Sequence, residues 1–199
     1  MPIILKKHDA YVKNGCLLKH GFRRVVNGKL VNYDACSVVY TNPNLASVAE
    51  IVADNCECEY NDFVWTVKSV NSTRGLRVDI DNPIVGETYT LSYKFQKVGG
   101  TLQRIGGHRG GYYPVDDKWM LDGVVASSTY PRGVDIADDD TVHSVVVTAV
   151  YKGDDKSGAN YICIHPNRMG SVGVDAKIWD IKLEQGDTAT PWIPAEEDV

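Results

Sequence analysis

Apolar and polar residues alternate along this chain with a period of two, and this pattern restricts the fold more than any other feature. It occurs in three successive segments, whose apolar members are Phe63, Trp65 and Val67, then Leu76, Val78 and Ile80, then Tyr89, Leu91, Tyr93 and Phe95. Successive side chains of an extended strand point to opposite faces. The pattern therefore predicts a sheet with one buried and one solvated face.

The later part of the chain continues in the same way. The segment from His143 to Tyr151 is rich in valine on both faces, which indicates a central strand of a sandwich. Further strands are predicted over Leu102–Gly106, Trp119–Val125, Tyr161–His165 and Val174–Glu184. About eight strands separated by turn signals favour an all-β antiparallel sandwich, and the jelly roll is the common eight-stranded form.

The first 60 residues have a different pattern. Val25 to Val31 is a hairpin signal, because Asn27-Gly28 tolerates the positive φ angles of a type I′ turn. A helix is predicted to begin at Thr41-Asn42-Pro43 and to end at Asp54-Asn55, with Leu45, Val48 and Val52 on one face. A hairpin and a short helix cannot bury a core alone. We therefore expect an attachment or oligomerisation region over residues 1–60 and the sandwich over residues 61–199.

Composition excludes several functions. The net charge of the 199 residues is −5, with both signs mixed, so we expect no nucleic-acid partner. No apolar run approaches the roughly 18–20 residues of a membrane span, and the start does not match a secretory signal. We expect the protein to be made in a cytosol. The five cysteines are odd in number and scattered without metal-ligand spacing, which predicts free thiols and no metal or cofactor.

A segment rich in glycine and tyrosine, residues 106–114, is the candidate ligand site. It lacks the Lys-Ser/Thr pair and the following helix of a phosphate loop. Aromatic faces can stack on sugar rings while charged groups bind the hydroxyls, so a glycan is the favoured ligand. The alternative is a structural connection, with Trp119 in the core. The candidate glycan-binding residues are Arg109, Tyr112, Tyr113, Trp119 and Tyr130.

Two further kinds of site are weighed from their residue patterns. Asp135, Asp138, Asp139 and Asp140 could hold calcium, but their spacing fits no EF-hand, and a solvated turn is favoured. The sequence contains neither a Gly-x-Ser-x-Gly elbow nor a His-Glu-x-x-His motif. We therefore expect a protein that is not an enzyme.

The chain closes with Lys182-Leu183-Glu184-Gln185-Gly186, followed by Thr190-Pro191-Trp192-Ile193-Pro194-Ala195 and an acidic end. Residues 176–198 resemble the terminal segment of jelly-roll modules in bacteriophage tail, baseplate and fibre proteins, modules that are similar to carbohydrate-binding modules. Trp192 is expected to anchor this tail, with Trp65 and Trp179 in packing roles.

The resemblance implies a virion structural protein, assembled in the host cytoplasm, with other virion subunits as partners. It also implies a homo-oligomer such as a trimer, and adsorption to a host surface polysaccharide. The alternative is a purely architectural capsid-decoration, head-fibre or tail adaptor protein without a glycan ligand.

Overall fold

A computed structural model describes most of the chain after residue 42. The described residues are 43–47, 50–70, 75–107, 118–126, 133–151, 161–167 and 173–198. Of the first 42 residues, the structure describes the backbone of five short strands. These are β1 (Val12–Lys13), β2 (Cys16–Leu17), β3 (Arg23–Val26), β4 (Lys29–Asn32) and β5 (Val39–Tyr40).

The five short strands form two small sheets. Strands β1, β2 and β5 pair in that order, and β3 pairs with β4. Val26 lies opposite Lys29, so only Asn27 and Gly28 separate the two paired strands. This register confirms the hairpin predicted from the Asn-Gly pair.

Twelve further strands follow within the described ranges. They are β6 (Ile51–Asp54), β7 (Glu57–Asn61), β8 (Val64–Val70), β9 (Gly75–Asp79), β10 (Thr88–Gly100), β11 (Arg104–Gly106), β12 (Lys118–Leu121), β13 (Val124–Val125), β14 (Gly133–Asp135), β15 (Val142–Val150), β16 (Tyr161–Ile164) and β17 (Val174–Gln185). A short 3-10 helix, Glu196–Asp198, ends the described chain. Among the described residues, no helix has the length and apolar character needed to cross a membrane.

These strands form two antiparallel sheets. The larger has seven strands in the order β13-β12-β15-β10-β17-β8-β7. The smaller contains β16-β9-β6 and β11-β14, which a bridge between Gly106 and His165 joins into five strands. The two sheets enclose one core, so the protein is an antiparallel β-sandwich of the jelly-roll class, as the alternation predicts.

The core is formed by the apolar face of each strand. Phe95 and Leu91 of β10 and Ile178 of β17 come from the larger sheet, and Leu76 and Ile164 come from the smaller. All five side chains are at most 1% exposed. Burying an aliphatic or aromatic side chain of this size stabilises the fold by about 1.5–3 kcal/mol. The alternating segments of the sequence therefore lie where their pattern predicts.

The predicted helix over residues 41–54 is wrong. Its last four residues form strand β6, in which Val52 lies opposite Arg77 and Asp54 lies opposite Gly75 of β9. Residues 43–47 are in irregular structure, and the amide of Leu45 donates to the carbonyl of Leu183 at 2.7 Å. Pairing with a buried strand decides the conformation here, because tertiary contacts outweigh a weak local preference for helix.

The predicted strand over Trp119–Val125 is a hairpin of β12 and β13. Leu121 lies opposite Val124, and Asp122 and Gly123 form the turn with φ angles of 51° and 80°. Aspartate and glycine tolerate the left-handed region, so Asp-Gly is a strong signal for a two-residue turn. The sequence carried this signal inside the segment assigned to one strand.

The division of the chain at residue 60 stays a prediction. Strands β6 and β7 lie before that position, yet they belong to the smaller and the larger sheet of the sandwich, respectively.

Candidate functional site

A β-bulge in the final strand organises the candidate site. Ser92 of β10 lies opposite Lys182, and Lys94 lies opposite Trp179, so β17 contains one residue more than β10 over this stretch. Asp180 takes a positive φ of 51° within the bulge. The extra residue bends the strand and takes the Ile181 carbonyl out of the regular ladder.

Two side chains from distant segments bind the carbonyl of Ile181. The Asn44 amide donates to it from Nδ2 at 3.0 Å, and the Trp192 indole donates from Nε1 at 3.2 Å. Asn44 Nδ2 also donates to the Ile193 carbonyl at 3.1 Å. The expectation that Trp192 anchors the tail is confirmed, because its indole is bound to the strand that the tail follows.

Behind the bulge, the tail covers a buried ion pair. Lys182 Nζ lies 3.4 Å from Glu184 Oε2, and both side chains are completely buried. Thr190 donates to Glu184 from its amide at 2.8 Å and from its hydroxyl at 2.7 Å. Burial lowers the pKa of Lys182, and Glu184 opposes that shift. A buried pair of this kind needs such additional hydrogen bonds, so the polar tail residues have a structural role.

An aromatic cleft opens between this pinned tail and the turn that joins β7 to β8. Its wall consists of Asn44, Ala46, Ile51, Tyr60, Phe63, Trp65, Asp180, Ile181, Trp192, Pro194 and Asp198. The Tyr60 and Trp65 rings lie 4.8 Å apart, and the Phe63 and Trp192 rings meet edge to face at 5.6 Å. Four aromatic rings, three from the β7–β8 hairpin and one from the tail, thus form one surface.

The position of Phe63 in this cleft depends on an unfavourable backbone conformation. Asp62 and Phe63 both have positive φ angles, 47° and 62°, which gives a type I′ geometry to the turn. For a bulky residue the left-handed region costs roughly 1–3 kcal/mol. The contact with Trp192 offsets part of this cost and directs the Phe63 ring to the cleft. The register, in which Asn61 lies opposite Val64, leaves only Asp62 and Phe63 for the turn and so requires their positive φ angles.

The chemistry of the cleft suits a ligand with apolar faces and hydroxyl groups. Tyr60 is 39% exposed, and the cleft encloses only about 20 Å³, room for about one water molecule. It is a shallow stacking surface and not an enclosed pocket. Burial raises the pKa of the Asp180 carboxyl above its usual value, although Lys94 opposes the shift. Asp198 also lines the cleft. Aromatic faces can stack on a sugar ring while carboxylates accept its hydroxyl protons.

Of the five glycan-binding residues predicted from the sequence, the structure describes one. Arg109, Tyr112, Tyr113 and Tyr130 fall outside the described residues, so their role stays a prediction. Trp119 is described and is only 6% exposed, packed in the core opposite Val147. A ring buried to this extent has little face to offer a sugar, so we leave Trp119 out of the site proposed below.

The carboxylates of the acidic segment from Asp135 to Asp140 are bound by groups of the same chain. Asp138 accepts from Lys97 at 2.8 Å and from the Leu102 amide at 2.9 Å, and Asp140 lies 3.2 Å from Lys97. Asp135 pairs with Arg104, and Asp139 accepts from Thr141. These carboxylates are therefore balanced by cations and amides of the chain, as a hydrogen-bonded surface turn requires.

The sequence patterns did not predict the cleft, because the residues that line it are far apart along the chain. Asn44 lay in the segment predicted as helix, Phe63 was assigned to an ordinary strand face, and Asp180 was one polar residue of the final strand. Only Asp62-Phe63 carried a local signal for a turn. That signal was weak, since phenylalanine is rare at a positive φ.

Comparisons with known proteins give structural neighbours only. No protein-family model and no curated protein matches the chain. Among solved structures, the chain is similar to the tripod from the baseplate of bacteriophage Tuc2009, with 14% identity and a TM-score of 0.46. The match covers 81% of this chain and 61% of that chain, so this chain spans less than two thirds of the baseplate protein.

Cellulose-binding domains are similar as well. The N-terminal cellulose-binding domain of Cellulomonas fimi β-1,4-glucanase C matches with 13% identity and a TM-score of 0.44, over 71% of this chain and 92% of that domain. The second N-terminal domain of the same enzyme matches with 14% identity and a TM-score of 0.40, over 74% and 93%. We derive the function below from the chain's own residues.

Proposed function

We propose that this chain is a bacteriophage virion structural protein whose jelly roll binds a carbohydrate of the host surface at the aromatic cleft. The observation that carries the proposal is the cleft itself, in which the closing segment supplies Trp192 and Asp180 and the β7–β8 turn supplies Phe63. The same closing segment carries the resemblance to phage tail, baseplate and fibre modules. The proposed binding residues Trp192 and Asp180 and the resemblance thus lie in one segment, residues 176–198.

The geometry supports binding and not cleavage. Hydrolysis of a glycosidic bond needs two carboxyl groups on either side of the bond, at least one with the freedom to transfer a proton. The carboxyl groups of the cleft are Asp180, in a strained bulge, and Asp198, beside the chain end, on a surface open to water. Stacking of a sugar on Tyr60 and Phe63 requires no such arrangement.

Binding to host cell-wall or capsular polysaccharide tests the proposal. We expect a Tyr60→Ala/Phe63→Asn variant to lose at least tenfold in affinity, because the stacking rings are removed while asparagine still tolerates the positive φ at position 63. The matched variant is Tyr112→Ala/Tyr113→Ala, in the segment predicted from the sequence. A loss in the second variant alone would move the site to that segment, and no binding of any host polysaccharide would refute the glycan proposal.

We assign virion attachment and assembly to the first 60 residues. Within that range, β6 and β7 belong to the sandwich sheets, so the attachment role falls on the part before residue 43. By resemblance to fibre and baseplate modules we expect a trimer or another symmetric oligomer. Size-exclusion chromatography with light scattering checks this, and a monomer at every concentration would contradict it.

An architectural role without a glycan ligand is the second candidate, and the edge of the larger sheet favours it. Strand β13 forms that edge, and its Val124 and Val125 are 69% and 72% exposed. An apolar edge strand can pair with a strand of another subunit. If the candidate is right, a density map of the assembled particle will show a neighbouring subunit on β13 and the cleft covered.

A further inference from the structure

Three side chains with metal-binding groups meet on the outer face of the smaller sheet, away from the cleft and the tail. They are Asp54 at the end of β6, Cys163 in β16 and His165 directly after β16. Their ligand atoms all lie within 4.8 Å of one another. Cys163 Sγ is 3.5 Å from Asp54 Oδ2. Cys163 is 1% exposed and His165 is fully buried, so the group is largely shielded from solvent.

The sheet brings these residues together across a glycine. Asp54 lies opposite Gly75 of the central strand β9, and Ile164 of β16 lies opposite Leu76 on the other side. The next residue of the chain, His165, therefore flanks Gly75 from the side opposite to Asp54. Alternation places Cys163 and His165 on the outer face, while Ile162 and Ile164 point to the core. A Cβ atom on Gly75 would lie 2.0 Å from the Ile164 carbonyl oxygen, so the glycine permits the close approach of β16 to β9 at this row.

The backbone holds His165 in place. Its amide donates to the Gly106 carbonyl at 2.7 Å, and its carbonyl accepts from the Gly106 amide at 3.0 Å. The two hydrogen bonds form the bridge that joins β16 to β11. A ligand on a paired strand is more rigid than one on a loop, which favours a defined coordination geometry.

Thiolate, imidazole and carboxylate together select zinc among the common protein metals. Calcium and magnesium prefer oxygen ligands alone, whereas zinc binds sulfur at about 2.3 Å, nitrogen at about 2.0–2.1 Å and oxygen at about 2.0–2.2 Å. A tetrahedral site with those bond lengths has ligand atoms about 3.3–3.7 Å apart. The Cys163 thiol donates a hydrogen bond to Asp54 Oδ2 over 3.5 Å, a separation in this range, and the other ligand atoms, within 4.8 Å of one another, draw together as the ion replaces the thiol proton.

The charges of the group fit a divalent cation. The thiolate and the carboxylate carry two negative charges, which balance the two positive charges of the ion. The site therefore has no net charge, and this matters because an unbalanced charge in a largely buried place would be costly. The neighbouring cation, Arg77, is directed elsewhere. Arg77 lies opposite Cys163 in β9, and its guanidinium extends to the next outer-face row, where it pairs with Asp79 at 2.9 Å and lies 5.1 Å over the ring of Tyr161.

We propose that Asp54, Cys163 and His165 bind a zinc ion, with water as the fourth ligand. On binding, the ion displaces the thiol proton of Cys163, which passes to solvent. The ion links β6 to β16 across β9, between residues separated by 109 positions. Cross-links over such long loops restrict the unfolded chain strongly, so zinc stabilises the sandwich. The site is independent of the aromatic cleft, and cleft variants retain it.

Metal binding by the full, untagged chain tests the proposal. After treatment with a chelator, the protein is titrated with zinc against a chromophoric competitor and with cobalt as a spectroscopic probe. We expect one ion per chain, a thiolate-to-cobalt charge-transfer band, the visible bands of tetrahedral cobalt, and a higher melting temperature with zinc than with chelator. No stoichiometric binding would overturn the proposal, as would cobalt binding without the charge-transfer band.

Variants identify the ligands. Cys163→Ser is expected to abolish the cobalt charge-transfer band, because the band comes from the thiolate. His165→Gln is expected to weaken zinc binding at least tenfold. Cys58→Ser, a cysteine outside the group, is expected to leave both unchanged. The opposite result would place the ion at the Cys56-Glu57-Cys58 segment and overturn the assignment. If the Cys163 and His165 variants do not fold, Asp54→Asn at the half-exposed member of the group decides, and zinc binding by that variant as tight as in the wild type would refute the site.

Discussion

The side chain of Asn44 uses all of its hydrogen-bonding capacity. Its two amide protons bind the carbonyls of Ile181 and Ile193, and its oxygen accepts from the amides of Ala46 and Leu183, each at 3.0 Å. An asparagine offers two donors and two acceptor positions, and all four are filled here. The side chain is only 7% exposed. Asn44 thus connects residues 44–46, the final strand β17 and the tail to one another.

Replacement of Asn44 by alanine should therefore be costly. We expect a loss of about 2 kcal/mol or more in the free energy of unfolding, because each buried group left unsatisfied costs about 1–3 kcal/mol. Urea denaturation measures the loss. Asn61→Ala, at an exposed position of β7, is the control and should change stability by less than about 0.5 kcal/mol. Equal effects of the two substitutions would contradict the role given to Asn44.

The carboxyl group of Asp139 makes the stability of the fold depend on pH in the acid range. The hydroxyl and amide of Thr141, which donate to Asp139, lower the pKa of that carboxyl from 3.8 to about 2, with a smaller contribution from His143. A carboxyl with a depressed pKa stabilises the fold above its unfolded pKa, and this stability is lost as the pH falls through the folded value. Between about pH 4 and about pH 2, Asp139→Asn should therefore lose less stability than the wild type.

Urea midpoints across that range provide the measurement. Thr141→Val removes the hydroxyl donor and keeps the amide, so its acid dependence should lie between those of the wild type and Asp139→Asn. Parallel pH profiles for all three proteins would show that Asp139 has no part in acid stability.

At the scale of single elements, periodicity predicted the strands and missed their irregularities. Phe95, Leu91 and Leu76 face the core because period two is a local property that each strand expresses by itself. The bulge at Asp180 depends on pairing with β10 and on the capture of the Ile181 carbonyl by Asn44, a residue 137 positions away. The assignment of Ile51–Asp54 failed for the same reason, since β9 and not local propensity makes this segment a strand.

The pairing of β9 with β16 leads to a prediction for Gly75. A Cβ atom at this position would lie 2.0 Å from the Ile164 carbonyl oxygen, and backbone atoms cannot yield without opening the strand pair. We expect Gly75→Ala to cost about 1–3 kcal/mol or more, as overpacked sites do. Gly99→Ala is the matched strand control, because the nearest atom to its Cβ is a side-chain oxygen of Asp175 at 3.2 Å.

Denaturation of both glycine variants measures this difference. Gly99→Ala should stay within about 0.5 kcal/mol of the wild type, as the Asp175 side chain can shift. A Gly75→Ala variant as stable as Gly99→Ala would show that β9 and β16 are not packed as closely as the structure places them.

For the whole molecule, the closing tail acts as part of the sandwich. Trp192 binds the bulge carbonyl, Thr190 binds Glu184, and the Pro191 carbonyl accepts from Lys182 Nζ at 3.1 Å. Sequence alone indicated a pinned tail, because an aromatic residue stands between two prolines. The buried pair beneath it could not be predicted, since Lys182 and Glu184 occupy the polar face of an alternating strand, where side chains are usually solvated.

Substitution of Lys182 tests whether the tail and the sandwich unfold together. Lys182→Met leaves the Glu184 carboxylate buried without its cation, which should cost about 3–5 kcal/mol. Lys182→Met/Glu184→Leu removes both charges and should recover part of that loss, because the Thr190 amide and hydroxyl then lack their Glu184 acceptor. Lys177→Met, at an exposed position of the same strand, should change stability by less than about 0.5 kcal/mol.

Two probes distinguish a coupled tail from a passive one. Tryptophan fluorescence includes the environment of Trp192, and far-ultraviolet circular dichroism reports on the sheets. In the wild type we expect both transitions to coincide, since the Glu184 hydrogen bonds and the Ile181 carbonyl hold the tail to β17. In Lys182→Met the fluorescence change should come first, as the tail separates from the strand. Coincident transitions in both proteins, with a Lys182→Met loss no larger than that of Lys177→Met, would show that the ion pair does not hold the tail to the sandwich.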